Sequence, residues 1–195
     1  MIVVGIDPAS NGAACIVKNE VAQVVFEWKC RNRKNGRVYV VSISCIGKDE
    51  VVAVECKSGA DIGSQIGAYV VLLKEDNEEF YLSSEDAYVG TNKNTAIIVA
   101  KFAGMIAGSV HNYTRSLNRV LWVQPNKWRF ELLKVPYFTK REQVKKYSLD
   151  LVPKKIPTIS YHINKLGRLD HITDSAGVAM WAWNSITRYN NNGNK

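Results

Sequence analysis

Asp7 closes a short apolar run, Met1 to Val4 and onward through Gly5-Ile6, and is followed by Pro8 and Gly12, which force the chain to turn. Two distant segments, Ser84-Glu85-Asp86 and Asp170-His171-Ile172-Thr173-Asp174, add further carboxylates and an imidazole. Hard divalent ions such as magnesium take oxygen ligands, and a neutral imidazole joins them or positions a water. Two such ions about 4 Å apart activate water against a phosphodiester and stabilise the leaving oxygen. A carboxylate at a strand tip is poorly placed for a core and well placed for that task. His171 and Asp174, three apart, share one face of a helix, and so do Asp170 and Asp174, four apart. The pattern points to a metal-dependent nuclease, with His171 or Asp170 as the fourth member beside Asp7, Glu85 and Asp174.

These residues need a scaffold, and the chain supplies one in a readable order. Valine- and isoleucine-rich runs predict strands at 2–7, 13–18, 21–28, 37–46 and 50–57, broken by Asn19-Glu20, Asn35-Gly36 and Gly47-Lys48-Asp49. Ile62, Ile66, Tyr69, Val70 and Leu73 predict a helix over 60–74, followed by a strand at 79–84 that ends at Glu85. A long helix is expected over 93–112, where Ala96, Ala100, Ala103, Gly104, Ala107 and Gly108 would allow close packing. A strand at 119–124 and a short helix opened by Pro125 follow. A basic helix spans 139–151. Pro153, Pro157 and Gly167 predict a loop over 152–167, and a final helix is expected over 169–188. Strands first, then alternating helix and strand, make an α/β fold with a mixed sheet in one domain, 1–189, with 190–195 as a frayed tail.

Composition narrows the class. The 195 residues carry 26 Lys and Arg against 18 Asp and Glu, a formal charge of +8, which favours a polyanionic partner. No apolar stretch approaches the roughly 20 residues that span a bilayer, and no secretory leader pattern opens the chain. Cys15, Cys30, Cys45 and Cys56 match neither zinc-knuckle nor C-x-x-C spacing, so they are expected to be reduced thiols of an intracellular, cytoplasmic protein. Arg31, Arg33, Lys34 and Arg37 cluster around one turn, and Lys140, Arg141, Lys145 and Lys146 form a second cluster followed by Lys154 and Lys155. Both suit phosphate contact. Trp122, Trp128, Trp181 and Trp183 are expected in the core or at a dimer contact.

Four segments in this order resemble the RuvC family of Holliday-junction resolvases, within the RNase H-like nucleases: GIDPAS around Asp7, SSEDAYVGTNKNTAIIVAKFAG from Ser83, KREQVKKYSLDL from Lys140 and DHITDSAGVAMWAW from Asp170. The resemblance implies an RNase H-like α/β fold, a five-stranded mixed sheet flanked by helices, with the segment 37–57 as an extra N-terminal β-hairpin. It implies Asp7, Glu85, His171 and Asp174 as catalytic metal ligands for two magnesium ions, with manganese as a substitute. Asp170, beside His171, breaks the family's simple pattern. By the same resemblance the helix beginning near Lys140 lies against the DNA backbone, and Tyr88 offers a ring that stacks at the junction centre.

The implied activity is structure-selective hydrolysis of four-way DNA junctions by a homodimer. The implied setting is a stand-alone resolvase of phage type. Three other readings compete. One is a relative with broader branched-DNA, flap or RNA–DNA hybrid specificity. Another is a junction-binding protein that does not cleave. The third, an actin-like ATPase or sugar kinase, needs two phosphate-loop lobes, whereas this chain has one.

Overall fold

The computed structural model of the chain describes residues 1–34, 36–86, 93–115, 117–167 and 170–193. β1 (Ile2–Asp7), β2 (Gly12–Lys18), β3 (Val21–Arg33), β4 (Gly36–Cys45) and β5 (Val51–Cys56) form an antiparallel meander. After α1 (Gly59–Leu73), β6 (Phe80–Glu85) returns to the other side of β1 and pairs with it in parallel. After α2 (Lys93–Thr114), β7 (Leu117–Val123) adds in parallel beyond β6. The order β5-β4-β3-β2-β1-β6-β7 makes one mixed sheet.

This corrects the expected five strands with a separate hairpin, because among the described residues the sheet has seven strands. The reason lies in side-chain parity. Phe26 and Trp28 of β3 share a buried face with Tyr39, Val41 and Ile43 of β4, above Ile62, Ile66 and Val70 of α1. Burying those side chains together requires β4 to continue the sheet, and β5, largely exposed, pairs along its outer edge.

Successive strand residues point to opposite faces, and β1 is buried on both. Ile2, Val4 and Ile6 face α1 and α2. Val3 faces the other layer, built from α3 (Pro125–Leu133), α4 (Arg141–Lys155), α5 (Ile159–Leu166) and α6 (Asp170–Gly193). Two-sided burial is why β1 reads as an unbroken apolar run. The close packing of α1 on α2 comes from α1 rather than from α2's small residues. A Cβ on Gly63 would lie 2.5 Å from the Ile106 carbonyl oxygen, and one on Gly67 would lie 2.8 Å from Tyr113 Cβ. Of the α2 small residues, Ala96, Ala103 and Ala107 are buried, whereas Ala100, Gly104 and Gly108 face solvent.

The predicted loop over 152–167 is instead helical. α4 runs through Pro153 to Lys155, and α5 follows and stops at Gly167, whose φ is +72°. Proline removes one helical hydrogen bond, but Val152, Ile156 and Ile159 are fully buried on both sides of it, and that burial outweighs the loss. α6 likewise extends through residue 193 into the expected tail, since adding turns to an established helix costs little. The four cysteines are free thiols, with Cys15 and Cys56 buried. Among the described residues no helix is long and apolar enough to cross a membrane.

α5 is locked to the sheet by a buried histidine. His162 Nε2 lies 3.0 Å from the Ala22 carbonyl oxygen, and Nδ1 lies 3.0 Å from Ser44 Oγ. A carbonyl only accepts, so Nε2 carries the proton and Nδ1 accepts from the serine hydroxyl. Burial holds this imidazole below its usual pKa, against the opposing pull of those two hydrogen bonds. A folded-state pKa below the unfolded value of about 6.5 means that the unfolded chain takes up the proton first. Stability from this residue is therefore complete above that value and is lost as pH falls through and below it. Urea unfolding at about pH 7.5 and about pH 5.5 is expected to show His162→Gln losing less stability on acidification than the wild type. At the higher pH the substitution costs about 1–3 kcal/mol for the disrupted buried hydrogen bonds. Equal acid sensitivity in the two proteins would remove His162 from this role.

Candidate functional site

Asp7 and Glu85 are the last residues of β1 and β6, adjacent parallel strands, so both carboxylates leave the sheet at the same edge. By parity they point to the α6 side. α6 meets β1 at Gly5, where a Cβ would sit 2.1 Å from the Ser175 carbonyl oxygen and 2.4 Å from the Ala179 nitrogen. Only glycine permits that approach, and it brings the first turn of α6 over the strand tips. His171 Nδ1 then lies 2.6 Å from Asp7 Oδ2. Asp7 Oδ1 also accepts a 3.3 Å hydrogen bond from the Ala9 amide.

Arg129 of α3 reaches the same place. Its Nη2 donates to Asp174 Oδ2 at 2.8 Å and lies 3.4 Å from Glu85 Oε1. Trp128, fully buried, donates its indole N–H to Glu85 Oε1 at 2.6 Å and lies under the guanidinium, whose Cζ is 4.7 Å from the ring centroid. Gly177 of α6 makes room for that indole, since a Cβ there would be 2.4 Å from the ring. The cavity so enclosed is about 570 Å³, and Asp7, Glu85, His171 and Asp174 all line it. All four residues singled out in the sequence thus converge.

Asp170 lines the cavity too, but Lys145 donates to its Oδ2 at 2.9 Å. Burial pulls the Asp170 carboxyl up, and the Lys145 hydrogen bond with nearby positive charge outweighs it, leaving the group below its usual range. Lys145 therefore stands at the rim of the site, with Lys140 and Lys146 exposed on the same helix or at its start. Arg33 pairs with Glu55 at 2.5 Å and Lys34 is exposed, both on the β3–β4 ribbon. Tyr88 and the side chain of Arg141 lie outside the described residues. Trp181 is buried and donates to Glu131, and Trp183 is partly buried, as expected of core residues; Trp122 is half exposed.

The electrostatics are strained toward too much negative charge. Burial, then the charges of Asp174 and Asp7, push the Glu85 carboxyl well above its usual range, and Arg129 and Trp128 offset this only in part. Burial also raises Asp174, with Arg129 pulling against it and Asp7 adding to it. The hydrogen bond to Asp7 raises the His171 imidazole in spite of burial. Three crowded carboxylates and one imidazole form a hard, oxygen-rich donor set that a divalent cation suits. Among the described residues no three acidic, histidine or cysteine side chains already close around a single point. Internal pairing explains this: Arg129 stands between Glu85 and Asp174, and His171 turns to Asp7. Arg129 Nε is buried with no hydrogen-bond partner, so the guanidinium's fit to this place is incomplete.

Arg129 and the Glu85 contact of Trp128 escaped the sequence reading. The one available signal was Gln124-Pro125 directly after β7, which starts a helix at the same sheet edge as Glu85.

No family model matches the chain, and no curated protein sequence does. Among solved structures, Thermus thermophilus RuvC in complex with Holliday junction substrate is similar with a TM-score of 0.53 and 13% sequence identity, over 93% of this chain and 91% of that one. A second Thermus thermophilus RuvC structure gives a TM-score of 0.48 at 15% identity, over 93% of this chain and 92% of that chain. The chain shares the RuvC-like fold.

The contact at Gly5 sets the site's geometry, and Gly5→Ala tests it. The added methyl must push α6 from β1, with an expected loss of about 3 kcal/mol in denaturant unfolding. With the helix displaced, the His171 imidazole, followed by NMR, should titrate nearer its ordinary value of about 6.5. An alanine variant with unchanged stability and an unchanged His171 titration would show that the helix position does not depend on this contact.

Proposed function

We propose that this chain is a divalent-metal-dependent endonuclease that resolves four-way DNA junctions by paired phosphodiester hydrolysis. The observation that carries this reading is the convergence of Asp7, Glu85, His171 and Asp174 in one cavity at the sheet edge. The RuvC-like fold and the net charge of +8 support it. Asp7, Glu85 and Asp174 would hold magnesium, or manganese in its place, with His171 as nitrogen donor or water-orienting group. Two bound ions would supply Lewis acidity toward the phosphodiester and a nucleophilic water at neutral pH.

The chain's own groups do the rest. Glu85 and Asp174 would hold the cation where the guanidinium now pairs with them, and Arg129 would then be available to meet a phosphate oxygen with a planar, permanently charged fork. Trp128 keeps Glu85 in position through its indole N–H. Lys145, at the rim, and the exposed Lys140 and Lys146 give the start of α4 positive charge for the DNA backbone, a contact that needs no base reading. Arg141 belongs to the same sequence cluster.

Paired incision requires two sites related by a two-fold axis. We place the second copy on α2, whose outer face exposes Ile97, Ile98 and Met105 beside Gly104 and Gly108. Exposed apolar side chains grouped on one helical face, here around the exposed Lys101, suit an interaction surface. Met105→Glu is expected to give monomers in sedimentation. A variant that sediments as the wild type does would move the interface elsewhere.

Cleavage is tested with a labelled four-way junction beside linear duplex, a flap and an RNA–DNA hybrid, with and without magnesium. Asp7→Asn removes one carboxylate from the centre and leaves the lysines of α4 intact. Cleavage should fall about a hundred- to a thousandfold, the scale of losing one preorganised electrostatic group at the reacting centre, while junction binding is retained. Wild-type cutting by the Asn variant would reduce Asp7 to a turn residue, and preference for the hybrid or flap would reassign the substrate.

A further inference from the structure

We infer that the far half of the β3–β4 ribbon is a grip for one duplex arm of the substrate, an inference that rests on the junction-cleaving function proposed above. The strand register places it. Trp28 of β3 pairs with Gly12, the first residue of β2, directly after the turn that follows Asp7. Trp28 donates to the Ala9 carbonyl, and the Cys30 amide donates to Asn11 Oδ1, each at 2.9 Å, so Cys30 is level with that turn. Everything beyond it, Arg31 to Arg33 paired with Gly36 to Val38, projects past the sheet edge from which Asp7 and Glu85 emerge. From Trp28 to Lys34 the ribbon reaches about 20 Å, at about 3.3 Å per residue.

Parity decides which way the charges point. Trp28 is in the core on the α1–α2 side, whereas Val25 is in the core on the α6 side. Lys29, Arg31 and Arg33 share the parity of Val25 and so fall on the α6 face of the sheet, the face that also holds Asp7 and Glu85. Residues two apart in a strand are about 6.7 Å apart, so the three cations form an evenly spaced row leading away from the site. Lys34 follows at the tip, and Arg37 pairs with Asn32 across the ribbon. A cleft of about 760 Å³ at this end is lined by Arg33, Lys34, Arg37 and Lys57, with Glu55 as the acid among them.

The chemistry favours a double-stranded arm. A single strand is held by bases stacked on exposed rings. The exposed described residues of the ribbon tip, Arg31, Asn32, Arg33, Lys34, Gly36 and Arg37, offer none. They offer guanidinium and ammonium groups on a stiff two-stranded support, which suits phosphates of regular spacing. At 3.4 Å per base pair, the ribbon from Trp28 to Lys34 runs alongside about six base pairs of duplex. In the free protein Arg33 is engaged by Glu55 across β4, so that acid competes with the DNA for it.

The test compares the full-length wild type with a variant carrying Arg31→Gln, Arg33→Gln and Lys34→Gln, on four-way junctions with arms of about 20 and about 5 base pairs. With long arms the variant should bind about tenfold or more weakly at moderate salt, and the slope of log affinity against log salt should fall by about 2.7, for three phosphate contacts. With short arms, which run out before Lys34, the loss and the fall in slope should both be smaller than with long arms. Glu55→Gln, which releases Arg33, should tighten long-arm binding. An unchanged long-arm slope, or an equal loss on short arms, overturns the grip. The two readings fail differently. A wild type that binds a linear duplex of about 20 base pairs through the ribbon without cutting junctions keeps the grip and overturns the nuclease. One that cuts junctions with the ribbon variant's binding intact does the reverse.

Discussion

The arrangement of the site depends on one close approach, the seating of α6 directly on β1 at Gly5. Backbone atoms of Ser175 and Ala179 occupy the volume that any side chain at position 5 would take. This contact sets the height of the helix above the sheet, and that height carries His171 to within hydrogen-bonding distance of Asp7. Gly177, two residues on from Ser175 and so on another side of α6, takes the Trp128 indole and ties α3 to the same helix. Strand tips, helix start and the Trp128-Arg129 pair are thereby referenced to two missing side chains. Interiors packed at crystal-like density have little slack to absorb an error there.

A second consequence of that packing is electrical. Glu85, Asp174 and Asp7 are brought together out of water with one guanidinium among them, and burial raises the carboxyl groups of Glu85 and Asp174. The fold holds this arrangement against its own electrostatic preference. Clusters of groups with shifted proton affinity in a cleft are where function concentrates, although structural ion pairs produce such shifts as well. The distinction here is one of stoichiometry, since a structural pair balances its charges and this cluster leaves an excess of carboxylate.

Much of the scaffold was legible in the sequence, for reasons that differ by element. β1 and α1 announced themselves because one is buried on both faces and the other on a regular stripe of Ile62, Ile66 and Val70. The four residues of the site were legible because strand ends and one helical face fix their directions. Arg129 was not, since nothing local marks an arginine whose partners lie 44 and 45 positions away. α5 was missed because Pro153, Pro157 and Gly167 outweighed the apolar residues between them, and only tertiary burial of Val152, Ile156 and Ile159 reverses that balance. The number of strands was misjudged because sheet continuity is decided by a shared buried face, which no single strand records.

The order of the elements along the chain gives the site a schedule. β1 to β5 pair each with the next, so this meander needs only neighbours and suits closure while a nascent chain is still lengthening. β6, β7 and α6 enter by long-range contacts, which form more slowly and later. Asp7 and His171 are separated by 164 positions, so the first strand waits for the last helix before the centre exists at all. A polypeptide halted short of α6 carries Asp7 and Glu85 with no His171 or Asp174 to complete them. The cavity itself is thus missing from any chain that stops before α6, and it is built only once synthesis has reached that helix.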